Sequence, residues 1–269
     1  MSPRDQATLP EKTSNRFDDE VPRYWVNNNP VITCFYNALS TVIPEGERFF
    51  IGTVRAVLDD INEPQLKQEV RQFIIQESNH RAGHHRLNDW IARQGYPMQS
   101  CENHIKRLQS SIERFFSTRQ QLAATLALEH YSAMLTDQFL REPLLSCDMH
   151  PKIRTFLVEH SVEEIEHKAV AFDVYQSAFG SYPVRIWQML LITFFFLPNV
   201  VYIQWRYLWH DRQLLNLKAW AGAMHYFWFR PGWFRRIIPG YFRYFKPGFH
   251  PWQHDNSELL HLWQKQKAD

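Results

Sequence analysis

The sequence predicts an all-α fold: a four-helix bundle with a di-metal core, followed by an apolar and then aromatic-basic extension. Three observations carry this. Carboxylates and histidines recur in the order Glu47, Glu77-Ser78-Asn79-His80, Glu129 and Glu164-Ile165-Glu166-His167. That is the ligand plan of a helical bundle whose facing helices hold two metal ions. Only 9 glycines occur in 269 residues, and strand-like alternation is scarce. Composition then changes after Pro183, where charged residues give way to a long apolar run.

The elements follow in order. Residues 1–20 are polar, mixed in charge, and lack the apolar core of a secretory signal. Helices are expected near 45–60, 65–94, 102–116, 118–141 and 151–179, with Pro44 at the start of the first. Asn62-Glu63-Pro64, Gly95-Tyr96-Pro97, Glu142-Pro143 and Gly180-Ser181-Tyr182-Pro183 supply the breaks. Three units result: a tail at 1–20, a bundle at 21–183 and a helical extension at 184–269. The gap from His80 to Glu129 is the longest between ligand groups and leaves room for a crossover connection.

Residues three or four apart on a helix share a face, so Glu77 with His80 and Glu164 with His167 each aim at one point. Each lies on an apolar stripe, Phe73, Ile74, Leu87 and Ile91 for the first, Ile153, Phe156 and Leu157 for the second. A charged group on such a stripe is costly unless paired or metal-bound. His160 is four before Glu164 and joins the same face. Carboxylate and imidazole suit iron or manganese, whereas none of Cys34, Cys101 and Cys147 has a metal-ligand spacing. His84, four after His80, points into the same space and is the candidate proton-handling catalytic residue. Glu163 is a fallback for Glu164, Asp173 an outer partner for a ligand, and His85 and His130 helix-flank residues.

With that frame, the His-x-x-x-Glu-x-x-His segment resembles the di-iron arylamine N-oxygenases, a ferritin-like family. The resemblance covers Glu47 to His167. It implies a ferritin-like four-helix bundle with Glu47, Glu77, His80, Glu129, His160, Glu164 and His167 as metal ligands. Over most of its length the chain is similar to bacterial proteins labelled predicted metal-dependent hydrolases, through Gln76-Glu77-Ser78-Asn79-His80 and Glu163-Glu164-Ile165-Glu166-His167-Lys168. That label implies hydrolysis, while the ligand set favours redox chemistry.

Residues 186–205 carry no charge and lie between Arg185 and Arg206. Their length suffices to cross a bilayer, with Trp187 and Trp205 placed as interfacial aromatics. Pro198, Asn199 and two glutamines favour a kinked or shallow insertion at least as much as a full span. From Arg206 to His254, basic residues and aromatics interleave and Asp211 is the lone acid. Such a segment suits an anionic leaflet. A net charge of +2 and the apolar run argue against nucleic acid.

These readings converge on a membrane-associated di-iron oxygenase or oxidase, with two iron ions (manganese suits the same donors) and O2 as co-substrate. Its substrate is apolar or amphipathic, and lipid-derived molecules fit. An electron donor is required, a homodimer is compatible, and the cytoplasmic face of a bacterial inner membrane is the expected location. The alternatives are a metal-dependent hydrolase acting at the bilayer and a non-catalytic metal-binding protein.

Overall fold

A computed structural model describes Phe17, residues 20–142, Leu145 and residues 148–261. The expected tail at 1–20 and Cys147 thus fall almost wholly outside the described residues. The protein is all-helical. Among the described residues the extended structure amounts to an isolated bridge between Val26 and Met149. The α-helices are α1 (Pro30–Arg55), α2 (Pro64–Arg93), α3 (Met98–Phe115), α4 (Thr118–Arg141), α5 (Pro151–His167), α6 (Val170–Ala178), α7 (Tyr182–His210), α8 (Leu217–Met224) and α9 (Trp233–Arg243), with a π-helical turn at His225–Phe229.

The first helix corrects the expected boundary. It begins at Pro30, and Pro44 lies inside it. Asn27 and Asn28 adopt positive φ, and Asn29 then caps the helix, its Oδ1 accepting from the amides of Val31 at 2.9 Å and Ile32 at 3.1 Å. A proline in a helix interior leaves the carbonyl four residues earlier without its helical donor. Here that carbonyl belongs to Ser40, and Asn88 Nδ2 of α2 donates to it at 3.1 Å. A side chain from the neighbouring helix thus compensates the break that Pro44 imposes.

The expected helix 151–179 is also divided. It stops at His167 and resumes at Val170. Between the two pieces the Lys168 ammonium donates to His254 O at 2.7 Å and Asn256 Oδ1 at 2.6 Å, so the turn is fastened to the C-terminal segment.

Two apolar layers form most of the interior, beside a small cluster of Val162, Ile165 and Leu260. One gathers Val31 to Val42 of α1, Leu87 to Ile91 of α2 and Ile153 and Phe156 of α5. The other gathers Phe49 to Val54 of α1, Leu66 to Phe73 of α2 and Val170 to Tyr175 of α6. Glu47, Glu77–His84 and His160–His167 fall between these layers on their chains. Dry packing above and below therefore brackets the polar cluster.

Residues 184–269 share this interior. α7 packs against α4 and α1, with Val200, Ile203 and Tyr207 in the first layer and Met189 and Ile192 in the second. Its opposite stripe, through Trp187, Leu190, Phe194, Leu197, Val201 and Trp205, is exposed. α7 is long and apolar enough to cross a membrane, yet 28% of its most apolar window is buried in the protein. The buried and exposed faces are those of a helix lying along the bundle with one side uncovered.

Candidate metal centre

The four carboxylates and their histidines come from α1, α2, α4 and α5. Glu47, Glu77, His80, Glu129, His160, Glu164 and His167 are all buried. Glu77, His80, Glu164 and His167 form one group whose donor atoms lie within 4.8 Å of one another, and Glu47, His84 and His160 form a second. His167 Nε2 is 3.2 Å from Glu77 Oε1, and His80 Nδ1 is 3.4 Å from Glu164 Oε1. His160 Nε2 reaches the same Glu164 oxygen at 3.4 Å, bringing the second group against the first. Glu129 belongs to neither group, but its Oε2 stands 3.7 Å from His167 Nδ1.

This donor set fits two divalent cations. Both carboxylate oxygens of Glu47 and Glu77, Glu129 Oε1, Glu164 Oε2, His80 Nδ1, His84 Nε2, His160 Nδ1 and both His167 nitrogens are buried without a well-formed hydrogen bond. Buried polar atoms normally find partners. The charges acting most strongly on the four carboxylates are one another and the cluster's own histidines. Burial, reinforced by the neighbouring carboxylates, pushes Glu47, Glu77 and Glu129 above the usual carboxylate range. Glu164 goes the other way: burial opposes its charge, but His167, His80 and His160 hold it low. Burial, together with the neighbouring His80, drives His160 down to about 3, so its ring is neutral and has a lone pair to give.

Outer partners orient two of the rings. His80 Nε2 donates to Glu163 Oε2 at 2.7 Å. This turns Nδ1 toward Glu77 and Glu164, and is the usual support for a metal-bound histidine. Glu163, the fallback ligand of the sequence reading, therefore faces the back of His80. His84 is set by a relay. Ser40 Oγ donates to Asn88 Oδ1 at 2.8 Å, so it accepts from His84 Nδ1, 2.9 Å away. The lone pair of His84 is thereby fixed on Nε2. Burial and the adjacent His160 keep that ring well below the usual histidine range, hence neutral. Neither Ser40 nor Asn88 carried a sequence signal; an asparagine one helical turn past His84 was the available hint.

The remaining residues lie apart. Asp173 pairs with His250 at 2.8 Å. His130 Nε2 donates to Gly240 O at 3.1 Å among Tyr244 and Phe249. His85 belongs to neither donor group.

On one side the cluster meets a cavity of about 430 Å³ between α1, α3, α4 and α7. Glu47, His84, His160 and Glu164 reach its wall, which is otherwise almost entirely apolar.

The fold and the cluster define a helical protein built around two buried Glu/His groups that could each hold a metal ion. The chain belongs to the family described as predicted metal-dependent hydrolase, whose model matches residues 10–255. No curated protein and no solved structure matches it.

Proposed function

We propose that the protein is a dinuclear metal-dependent hydrolase acting on an apolar substrate at a membrane surface. The observation that carries this is a buried Glu/His cluster, with the donor set of a metal pair, opening onto an apolar cavity. The family description supports the hydrolytic assignment. Divalent ions held there supply Lewis acidity and lower the pKa of water. Glu47, Glu77, Glu129 and Glu164 balance their charge, while His80, His160 and His167 complete the donor set. His84 stands beside Glu47 and His160 with its Nε2 lone pair unpartnered, and we assign that lone pair to the proton of the attacking water rather than to an ion. The Ser40–Asn88 relay holds the Nδ1–H of the resulting imidazolium. The apolar wall keeps bulk water away, which strengthens each of these electrostatic contacts. The uncovered stripe of α7 and the basic residues after it favour attachment to an anionic bilayer.

The donor chemistry favours a second reading. Carboxylates and imidazoles projecting inward from helices, beside an apolar cavity, also suit a ferritin-like di-iron oxygenase or oxidase that uses O2 and an external electron donor. One experiment separates the two. Full-length protein is stripped with a chelator and reloaded with zinc, manganese or ferrous iron. Release of alcohol from a long-chain ester is then followed without oxygen, and O2 uptake is followed separately. Oxygen-independent ester cleavage that requires the metal and disappears in Glu77→Ala is the expected result. O2 consumption by the iron form, with no cleavage by any form, would replace hydrolysis with the oxidative reading.

A further inference from the structure

The cavity beside the cluster is longer than two ions and a water molecule require. It runs along α1 from Tyr36 to Phe50, a helical rise of roughly 20 Å. Over that length the wall encloses about 430 Å³. Among the described residues no lysine, arginine or aspartate lines it, and the carboxylates and imidazoles on its wall are those of Glu47, Glu164, His84 and His160. A largely apolar cavity with one group of carboxylates and imidazoles suits a chain that is apolar except at one functional group.

The exposed residues of the cavity wall, Ser111, Phe115 and Phe195, belong to α3 and α7, which places its opening between these helices. The first half of α3 is clipped to α7: Arg206 Nη1 donates to Ser100 Oγ at 3.0 Å, and His104 Nε2 lies 2.7 Å from Asn199 Oδ1. Past these clips Gln109 and Ser111 join a lining that is mostly apolar, with Ile112 and Phe115 from α3 and Leu191 and Phe195 from α7. Phe115 is 73% exposed and Phe195 52%. This opening adjoins the uncovered stripe of α7, where Trp187 is 57% and Phe194 73% exposed. Large aromatics at the rim of an apolar opening favour an apolar phase outside it.

We propose that the cavity takes a single-chain lipid, a fatty acyl ester or fatty acid, from the bilayer through the gap between α3 and α7. The alkyl chain lies along α1, and the functional group stops beside Glu47, His84, His160 and Glu164. This rests on the metal-enzyme reading above and gives it a substrate class and an entry route.

The test uses full-length, metal-loaded protein and the fluorescent fatty acid cis-parinaric acid. One arm supplies the probe as aqueous monomer, the other from vesicles of phosphatidylcholine and phosphatidylglycerol. Saturable binding of one probe per chain, displaced by palmitate and not by acetate, is expected. Ile112→Trp fills the cavity and should weaken binding at least tenfold with metal content and helicity unchanged. Leu108→Trp, one turn earlier on the same wall, serves if the first variant misfolds. Trp187→Glu with Phe194→Glu charges the rim outside the cavity. It should slow uptake from vesicles at least tenfold and leave monomer binding intact. A metal-replete protein that binds no probe would overturn the lipid assignment and spare the metal site. Uptake from vesicles that ignores the charged rim would overturn bilayer entry. A protein that binds no metal under any loading condition would fail the underlying metal-enzyme reading instead.

Discussion

Glu163 gives the sharpest test of how the centre is built. Its carboxylate accepts a hydrogen bond from His80 Nε2 at 2.7 Å, while His80 Nδ1 faces Glu77 and Glu164. Glu163→Ala removes that acceptor and frees the ring to rotate or change tautomer. Losing such a partner typically weakens metal binding 10–100-fold, about 1.4–2.8 kcal/mol. Because the metal binds the folded state, the same amount should leave the stability of the protein at saturating metal. Glu163→Gln keeps an oxygen that can accept from Nε2 and removes only the charge, so its loss should be smaller than that of alanine. Calorimetric titration of the metal-stripped proteins with zinc or manganese, alongside thermal unfolding with and without metal, measures both quantities. Unchanged affinity in Glu163→Ala would show that Glu163 does not support His80 as a ligand, and the assignment of His80 Nδ1 as the donor atom would fail with it.

Other outcomes follow from the same geometry. Glu77→Ala and His167→Ala should each lose most bound metal, and elemental analysis showing full occupancy in both would remove the group they anchor. His160→Ala should retain two ions with altered reactivity, whereas His84→Ala should retain two ions and lose about 10²–10⁴-fold in turnover as a proton acceptor; an ion missing from His84→Ala would make it a ligand. Burial alone would raise the Asp211 carboxyl, but the Arg23 and Tyr96 hydrogen bonds outweigh it and hold the group below the ordinary aspartate value. A depressed folded pKa contributes stability above the unfolded value of about 3.9 and loses it as pH falls through the lower folded value. Asp211→Asn should therefore narrow the stability gap to wild type in acid, and a gap that stays constant from neutral pH into acid would contradict this. Deleting residues 184–269 should yield an aggregating fragment rather than a released bundle, because it strips Met189, Ile192, Ile203 and Tyr207 from the two core layers; a soluble, cooperatively unfolding fragment on calorimetry would show the opposite.

The sequence by itself determined the helical class and the order of the polar groups that gather inside it. Helical periodicity makes both readable, since Glu77 with His80, and His160 with Glu164 and His167, must share a face wherever the helices go. Apolar neighbours on the same stripes announced that those faces would be buried. What the chain alone could not show was anything that depends on which helix lies opposite. Pro44 reads as a helix start until Asn88 is seen to hold the Ser40 carbonyl it releases. Glu163 and Glu164 differ by about 100° around one helix. Spacing to His160 and His167 favours Glu164, but the use of Glu163 depends on the position of α2, which sets Glu163 behind His80 and Glu164 before it. The apolar run of α7 has the composition of a membrane span, and only its packing against α1 and α4 shows one face spent on the core and the other left uncovered. The cavity along α1 has no sequence signature, because it is space left between side chains from several helices. Short-range spacing fixes which residues travel together on one helix; tertiary packing fixes what they meet.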